Sequence, residues 1–179
     1  MPGQEAAPPS ARPAPGGWKT GSVRIAMACL GNICRSPMAE VVARALLAEE
    51  GLATEVSVES FGTAGYHAGE GADPRARAAL GRRGLSADGH RARQIAEGDV
   101  SALDLVLCAD RSNMRAITRL APAHAGKLRL LRSYDPLSGA GDDEVPDPWG
   151  GRDGDFDDAL ALIEAACRGL VGELAAARR

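Results

Sequence analysis

The chain has 179 residues, 45% of them hydrophobic and only 3% aromatic, so it is long enough for one ordinary domain whose core must be built from aliphatic side chains. A formal charge of -3 and a pI near 5.6 exclude a global basic field for nucleic acid or an anionic membrane, and any anion site must be local. Cys29, Cys34, Cys108 and Cys167 follow no secreted disulfide framework and no zinc spacing, which fits a reducing cytosol; no metal or other cofactor is expected. No apolar segment reaches signal-peptide or transmembrane form, so the expectation is a cytoplasmic chain, or one secreted by a route without a signal peptide.

Residues 1–22 are rich in proline, alanine and glycine and cannot bury a core; they are expected to be a disordered extension, with Trp18 an incidental exposed aromatic. A single domain is expected over residues 23–179. It begins with a strand ending at Cys29, after which Gly31 frees the backbone to turn. Ser36-Pro37 then reads as the N-cap and first turn of a helix. In such a strand, loop and helix, successive backbone N–H groups of Leu30, Gly31, Asn32, Ile33 and Cys34 can converge on one anion, aided by the helix dipole. Arg35 adds a planar fork for two oxygens. The same field favours the thiolate of a cysteine placed inside it, making Cys29 a candidate nucleophile. A buried, inert Cys29 beside a surface Arg35 is the plainer alternative; the apolar strand, the loop glycine and the Ser-Pro helix start weigh against it.

The next elements alternate. Pro37 to Glu50 reads as a helix with Met38, Val41, Val42, Ala45 and Leu46 on one side, ended by Gly51, and Glu55 to Phe61 as a strand. Asp73-Pro74 opens a helix through Arg83, Leu103 to Cys108 is a central strand, Asp110 can cap the helix that follows, and Lys127 to Leu131 is a fourth strand. Phe156, Leu160, Ile163, Cys167, Leu170 and Leu174 repeat at helical spacing. Four strands alternating with helices predict an α/β fold, a small doubly wound four-stranded parallel sheet with helices on both faces. Ligands of such sheets sit beyond the strands' carboxyl ends, where Cys29, Thr63, Asp110 and the loop from Arg132 collect. In that loop Asp147 stands out among several acids because Pro146 and Pro148 restrict its backbone and Trp149 adds a large ring.

Cys29 to Pro37, CLGNICRSP, resembles the phosphate loop of the bacterial low-molecular-weight protein tyrosine phosphatases. Ser60-Phe61-Gly62-Thr63, Asp73-Pro74-Arg75, Gly89-His90-Arg91, Asp110-Arg111-Ser112-Asn113 and Asp147-Pro148-Trp149 follow in that family's order. The resemblance implies strand order 2-1-3-4 and metal-independent hydrolysis of phosphotyrosine through a cysteinyl-phosphate. It further implies a phosphotyrosine protein or peptide as partner, inorganic phosphate as product, a monomer, and neither nucleic acid nor membrane as ligand. By the same resemblance Cys29 is the nucleophile, Arg35 the oxyanion clamp, and Asp147 the general acid that later activates water. Leu30, Gly31, Asn32, Ile33, Cys34 and Ser36 line the cradle, Tyr66 and Trp149 wall the cleft, and Asn32, Ser36, His90 and Asp110 support the loop. Cys34 is either a reversible disulfide partner of Cys29 or simple packing. Tyr66 stands where the family often has Trp, and His67 beside it reads as an exposed loop histidine. Asp110 either orients Arg35 or caps its helix, or does both.

Three other functions compete. An arsenate reductase of this fold needs a second cysteine soon after Cys108, and none follows. Members of the related protein-arginine phosphatases carry Thr at the position of Ile33, so the aliphatic side chain favours tyrosine. A non-catalytic anion-binding module would have lost the nucleophile or the acid.

Overall fold

The computed structural model describes residues 21–179 together with Trp18. The expected disordered extension therefore falls, apart from Trp18, Gly21 and Ser22, outside the described residues. Trp18 itself is half-buried and packs against the larger hydrophobic cluster, so it is not the exposed aromatic expected of it.

Strand β1, Val23–Cys29, runs through the centre of the sheet. Its odd positions, Val23, Ile25, Met27 and Cys29, join one cluster of buried side chains, while Ala26 and Ala28 join another on the opposite face. This is the period-two geometry of a strand covered on both sides. Around it stand β2 (Val56–Gly62), β3 (Leu105–Cys108) and the three-residue β4 (Leu128–Leu130), all parallel, in the order β2-β1-β3-β4. The order reverses at β1, placing the switch point, and with it the expected ligand crevice, between β1 and β3.

Helices α1 (Arg35–Glu49), α2 (Pro74–Gly81) and the long α5 (Asp153–Ala176) cover the face of Val23, Ile25 and Met27. The other face is covered by α3 (Glu97–Ala102), through Val100, and α4 (Arg111–Leu120), through Ile117. All six periodic apolar residues of α5 named from the sequence are buried. Gly169 of α5 lets the helix lie against the Tyr134 carbonyl, since a Cβ there would collide with that backbone oxygen. Among the described residues no helix is long and apolar enough to cross a membrane.

Three departures from the sequence reading are informative. α1 starts at Arg35, with Cys34 as its N-cap, so Ser36-Pro37 is not the cap pair; the Ser36 hydroxyl is engaged elsewhere, and Pro37 sits in the first turn where its missing N–H costs no helical bond. The buried stripe of α1 is Met38, Ala39, Val42, Ala43 and Leu47, while Val41 and Leu46 are only partly buried. α5 meets this stripe at Ala39, whose carbonyl accepts from the Cys167 thiol at 3.8 Å. Finally, α3 has no counterpart in the periodic pattern.

Candidate active site

The loop from Leu30 to Cys34 wraps the carboxyl end of β1 and is held by a network of buried polar side chains. Asn32 takes a left-handed backbone conformation, φ 56°, which Asn tolerates better than most residues, and its side chain is fully buried. Its Nδ2 donates to Ser36 Oγ and to Ser60 Oγ, each at 2.9 Å, and its Oδ1 accepts from the Arg93 amide at 2.9 Å. His90 Nε2 donates to the Asn32 carbonyl at 2.7 Å, which places a proton on that nitrogen. Because Ser36 Oγ accepts from Asn32, its own proton is free for Cys29 Sγ, 3.0 Å away. By the same logic Ser60 Oγ donates to Glu40 Oε2 at 2.5 Å. Hydrogen bonds thus run outward from the Asn32 amide in both directions, through Ser36 to the sulfur and through Ser60 to Glu40.

Arg35 and Asp110 meet across the switch point. Arg35 Nη1 donates to Asp110 Oδ2 at 2.6 Å and to the Val145 carbonyl at 3.0 Å, while Asp110 Oδ1 accepts from the Asn113 amide at 2.8 Å. Asp110 therefore both orients the guanidinium and caps α4. Arg35 is 3% exposed; burial opposes its charge, and Cys29, Asp147 and Asp110 opposite it outweigh that penalty and raise its pKa. The second nitrogen, Nη2, lies 3.3 Å from Asp147 Oδ2, so the carboxylate singled out in the loop reaches the cradle. Asp147 is held more loosely than the cradle: its side chain is 44% exposed, and its Oδ1 accepts only from the Trp149 amide at 3.1 Å.

Cys29, Leu30, Gly31, Ile33, Cys34 and Arg35 form the floor of a pocket of about 170 Å³, with Tyr66, His67, Asp147 and Trp149 around its mouth. Tyr66 and Trp149 are both largely exposed and contribute edges to the pocket. His67 is the correction: it is not a free loop histidine but lies over Gly31, where a Cβ would come within 3.0 Å of its ring, and its Nδ1 pairs with Glu70 Oε2 at 2.9 Å. Gly62 explains another family segment. At the end of β2 it lies so close to the cradle that a Cβ would stand 2.8 Å from the Leu30 carbonyl.

The neighbouring thiols differ chemically. Cys34 is pushed up to about 12 by burial and by the negative charges of Asp73, Cys29 and Asp147, so it remains a neutral thiol. Burial likewise raises Cys108 and pushes Cys167 up to about 12, and both are core residues, as expected. Sequence reasoning gave no role to Ser60, Glu40, Arg93 or Arg75, although each holds part of the site, and gave Asp73 only the helix cap that it does form. Ser60 and Asp73-Pro74-Arg75 lay within the recognised segments, but their partners are distant in the chain. Among the described residues, no group of three or more His, Cys, Asp or Glu stands where it could hold a metal ion.

Comparison with known proteins agrees with this geometry. A protein 52% identical over 151 residues, covering 83% of this chain and 91% of its own, is the low molecular weight protein-tyrosine-phosphatase of Streptomyces coelicolor. The human low molecular weight phosphotyrosine protein phosphatase is 36% identical over 146 residues, covering 80% of this chain and 90% of its own. Among solved structures, the protein tyrosine phosphatase of Entamoeba histolytica with Hepes in its active site superposes with a TM-score of 0.80 at 30% identity, over 86% of this chain and 97% of that one. YfkJ from Bacillus subtilis matches with a TM-score of 0.80 at 32% identity, over 88% and 97% respectively. A family model described as low molecular weight phosphotyrosine protein phosphatase matches residues 24–179, and the chain belongs to that family.

Proposed function

We propose that the chain hydrolyses phosphotyrosine in proteins or peptides by two successive displacements at phosphorus. The observation that carries this reading is the directed hydrogen bond from Ser36 to Cys29 Sγ at the floor of a pocket whose mouth holds Asp147. A proton donated to the sulfur stabilises the thiolate and eases its departure from the phosphoenzyme. In the first step Cys29 Sγ bonds to phosphorus and the phosphorus–oxygen bond to the leaving group breaks, while Asp147 gives that oxygen its proton. The loop amides and Arg35 share the charge of the equatorial oxygens. In the second step Asp147, now a carboxylate, takes a proton from water as its oxygen displaces the sulfur, releasing inorganic phosphate. Tyr66 and Trp149 supply aromatic edges for a substrate ring that must reach the floor, which favours an aryl phosphate over the shorter phosphoserine.

The purified protein is expected to hydrolyse p-nitrophenyl phosphate with EDTA present and to prefer a phosphotyrosine peptide over phosphoarginine and phosphoserine peptides. Cys29→Ser should lower kcat by about 10⁴-fold or more while phosphate still binds. Substantial turnover by that variant, or a strict requirement for added metal, would overturn the mechanism.

A further inference from the structure

Asp73-Pro74-Arg75 has no part in the chemistry just described, yet it touches both halves of the site. On one side the Asp73 amide donates to the Ile33 carbonyl, inside the cradle, at 2.8 Å. On the other, Arg75 Nη2 donates to the Trp149 carbonyl at 3.1 Å and Nη1 to the Gly151 carbonyl at 3.2 Å. These carbonyls belong to the stretch that immediately follows Asp147.

The guanidinium between them has little freedom. Its Nε and Nη2 donate to the two oxygens of Asp73 at 3.1 and 2.9 Å, and its carbon lies 4.5 Å over the ring of Phe156, which is fully buried at the start of α5. Asp73 in turn is fixed as the N-cap of α2, accepting the Arg75 amide at 2.8 Å. A planar fork with five donors suits this task, because it can pair with a carboxylate along one edge and bridge two carbonyls with its tips. The segment it grips contains Gly150 and Gly151, adjacent residues whose backbones are the least restrained by their own side chains. A Cβ on Gly151 would collide with the Asp155 carboxylate, which accepts from the Arg152 amide at 2.6 Å.

We infer that Arg75 is a positioning residue for the general acid. By holding the Trp149 and Gly151 carbonyls at a fixed distance from the Ile33 carbonyl, it sets where the Asp147 carboxylate stands relative to Cys29. It touches neither the substrate nor the sulfur, and its effect passes through the loop. Proton donation matters most when the departing oxygen is basic, so a displaced Asp147 slows phenyl phosphate more than p-nitrophenyl phosphate.

This rests on Asp147 acting as the acid, and the experiment separates the two ideas. Wild type, Arg75→Gln, Arg75→Lys, Asp147→Ala and the double variant Arg75→Gln/Asp147→Ala are compared on both substrates, with thermal denaturation as a check on folding. Arg75→Gln is expected to lower kcat on phenyl phosphate by about 10-fold and on p-nitrophenyl phosphate by less than about 3-fold, and to add nothing in the Asp147→Ala background. Arg75→Lys keeps the pairing with Asp73 but loses the two-carbonyl bridge, so it should show the same leaving-group bias even if the glutamine variant does not fold. Equal loss on both substrates, or a loss that multiplies with that of Asp147→Ala, overturns the positioning role. An Asp147→Ala variant without leaving-group bias would instead remove the acid assignment itself.

Discussion

The cradle and the acid loop face each other across one small pocket and are built in opposite ways. Asn32, Ser36, Ser60 and Arg35 are almost wholly buried, and every polar atom of the Asn32 side chain has a partner. In the acid loop, the Val145 amide donates to the Ala109 carbonyl at 2.8 Å and Arg132 ties down Asp142 and the Glu144 carbonyl, but Asp147 and Trp149 project from these anchors into solvent. On the mechanism proposed above, the two regions have tasks that ask for this difference. A nucleophile and its oxyanion donors act best when their geometry is fixed before substrate arrives, whereas an acid that donates a proton and later accepts one must exchange with water.

The contrast is open to direct attack. After Cys29→Ser, Asp147→Ala should have the largest effect, lowering kcat by about 10³-fold for phenyl phosphate and much less for p-nitrophenyl phosphate, as steady-state rates over a leaving-group series will register. Asn32→Ala should slow both substrates alike, by about 10²-fold, because it removes the partner of two serine hydroxyls and of the Arg93 amide and loosens the cradle itself. If the Asn32 variant showed the leaving-group bias and the Asp147 variant did not, the division of labour would be wrong.

Gly169→Ala tests the scaffold beneath both regions. A methyl group driven toward the Tyr134 carbonyl should cost about 1–3 kcal/mol in denaturant unfolding, with rates on both substrates falling together at most modestly. The smallest effect concerns pH. Burial pushes the Asp73 carboxyl up, but the Arg75 side chain and the amides of Arg75 and Ala76 outweigh it and hold the group below its ordinary 3.8. A depressed folded-state pKa means that its stabilising contribution is complete above about pH 3.8 and is lost as pH falls through the lower folded value. The stability gap between wild type and Asp73→Asn should therefore be constant at neutral pH and close only in that acid range, as urea titrations at several pH values would reveal.

What could be read from the chain beforehand follows from how local each cause is. The cradle was legible because a strand end, a glycine and a helix start are adjacent in sequence, and the strand order came from resemblance alone. Asp147 stood out through its flanking prolines. Ser60, 28 residues from Asn32, and Arg75, 74 residues from Trp149, could not be assigned by spacing, because the sheet and the packing of α2 bring them to the site. The Ser36 cap failed for a related reason: the hydroxyl that a helix start would use is taken by the sulfur and by Asn32. α3 escaped notice because six residues with one buried side chain leave no period to detect.

The unequal treatment of the four thiols has a practical side. Cys34, Cys108 and Cys167 are kept in the protonated form by burial, and two of them are sealed within the core, so none is a ready target for an alkylating reagent. An electrophile narrow enough to enter the pocket, and carrying an anionic group for Arg35, would thus label a single sulfur, and the mass of the modified protein would count competent sites one by one.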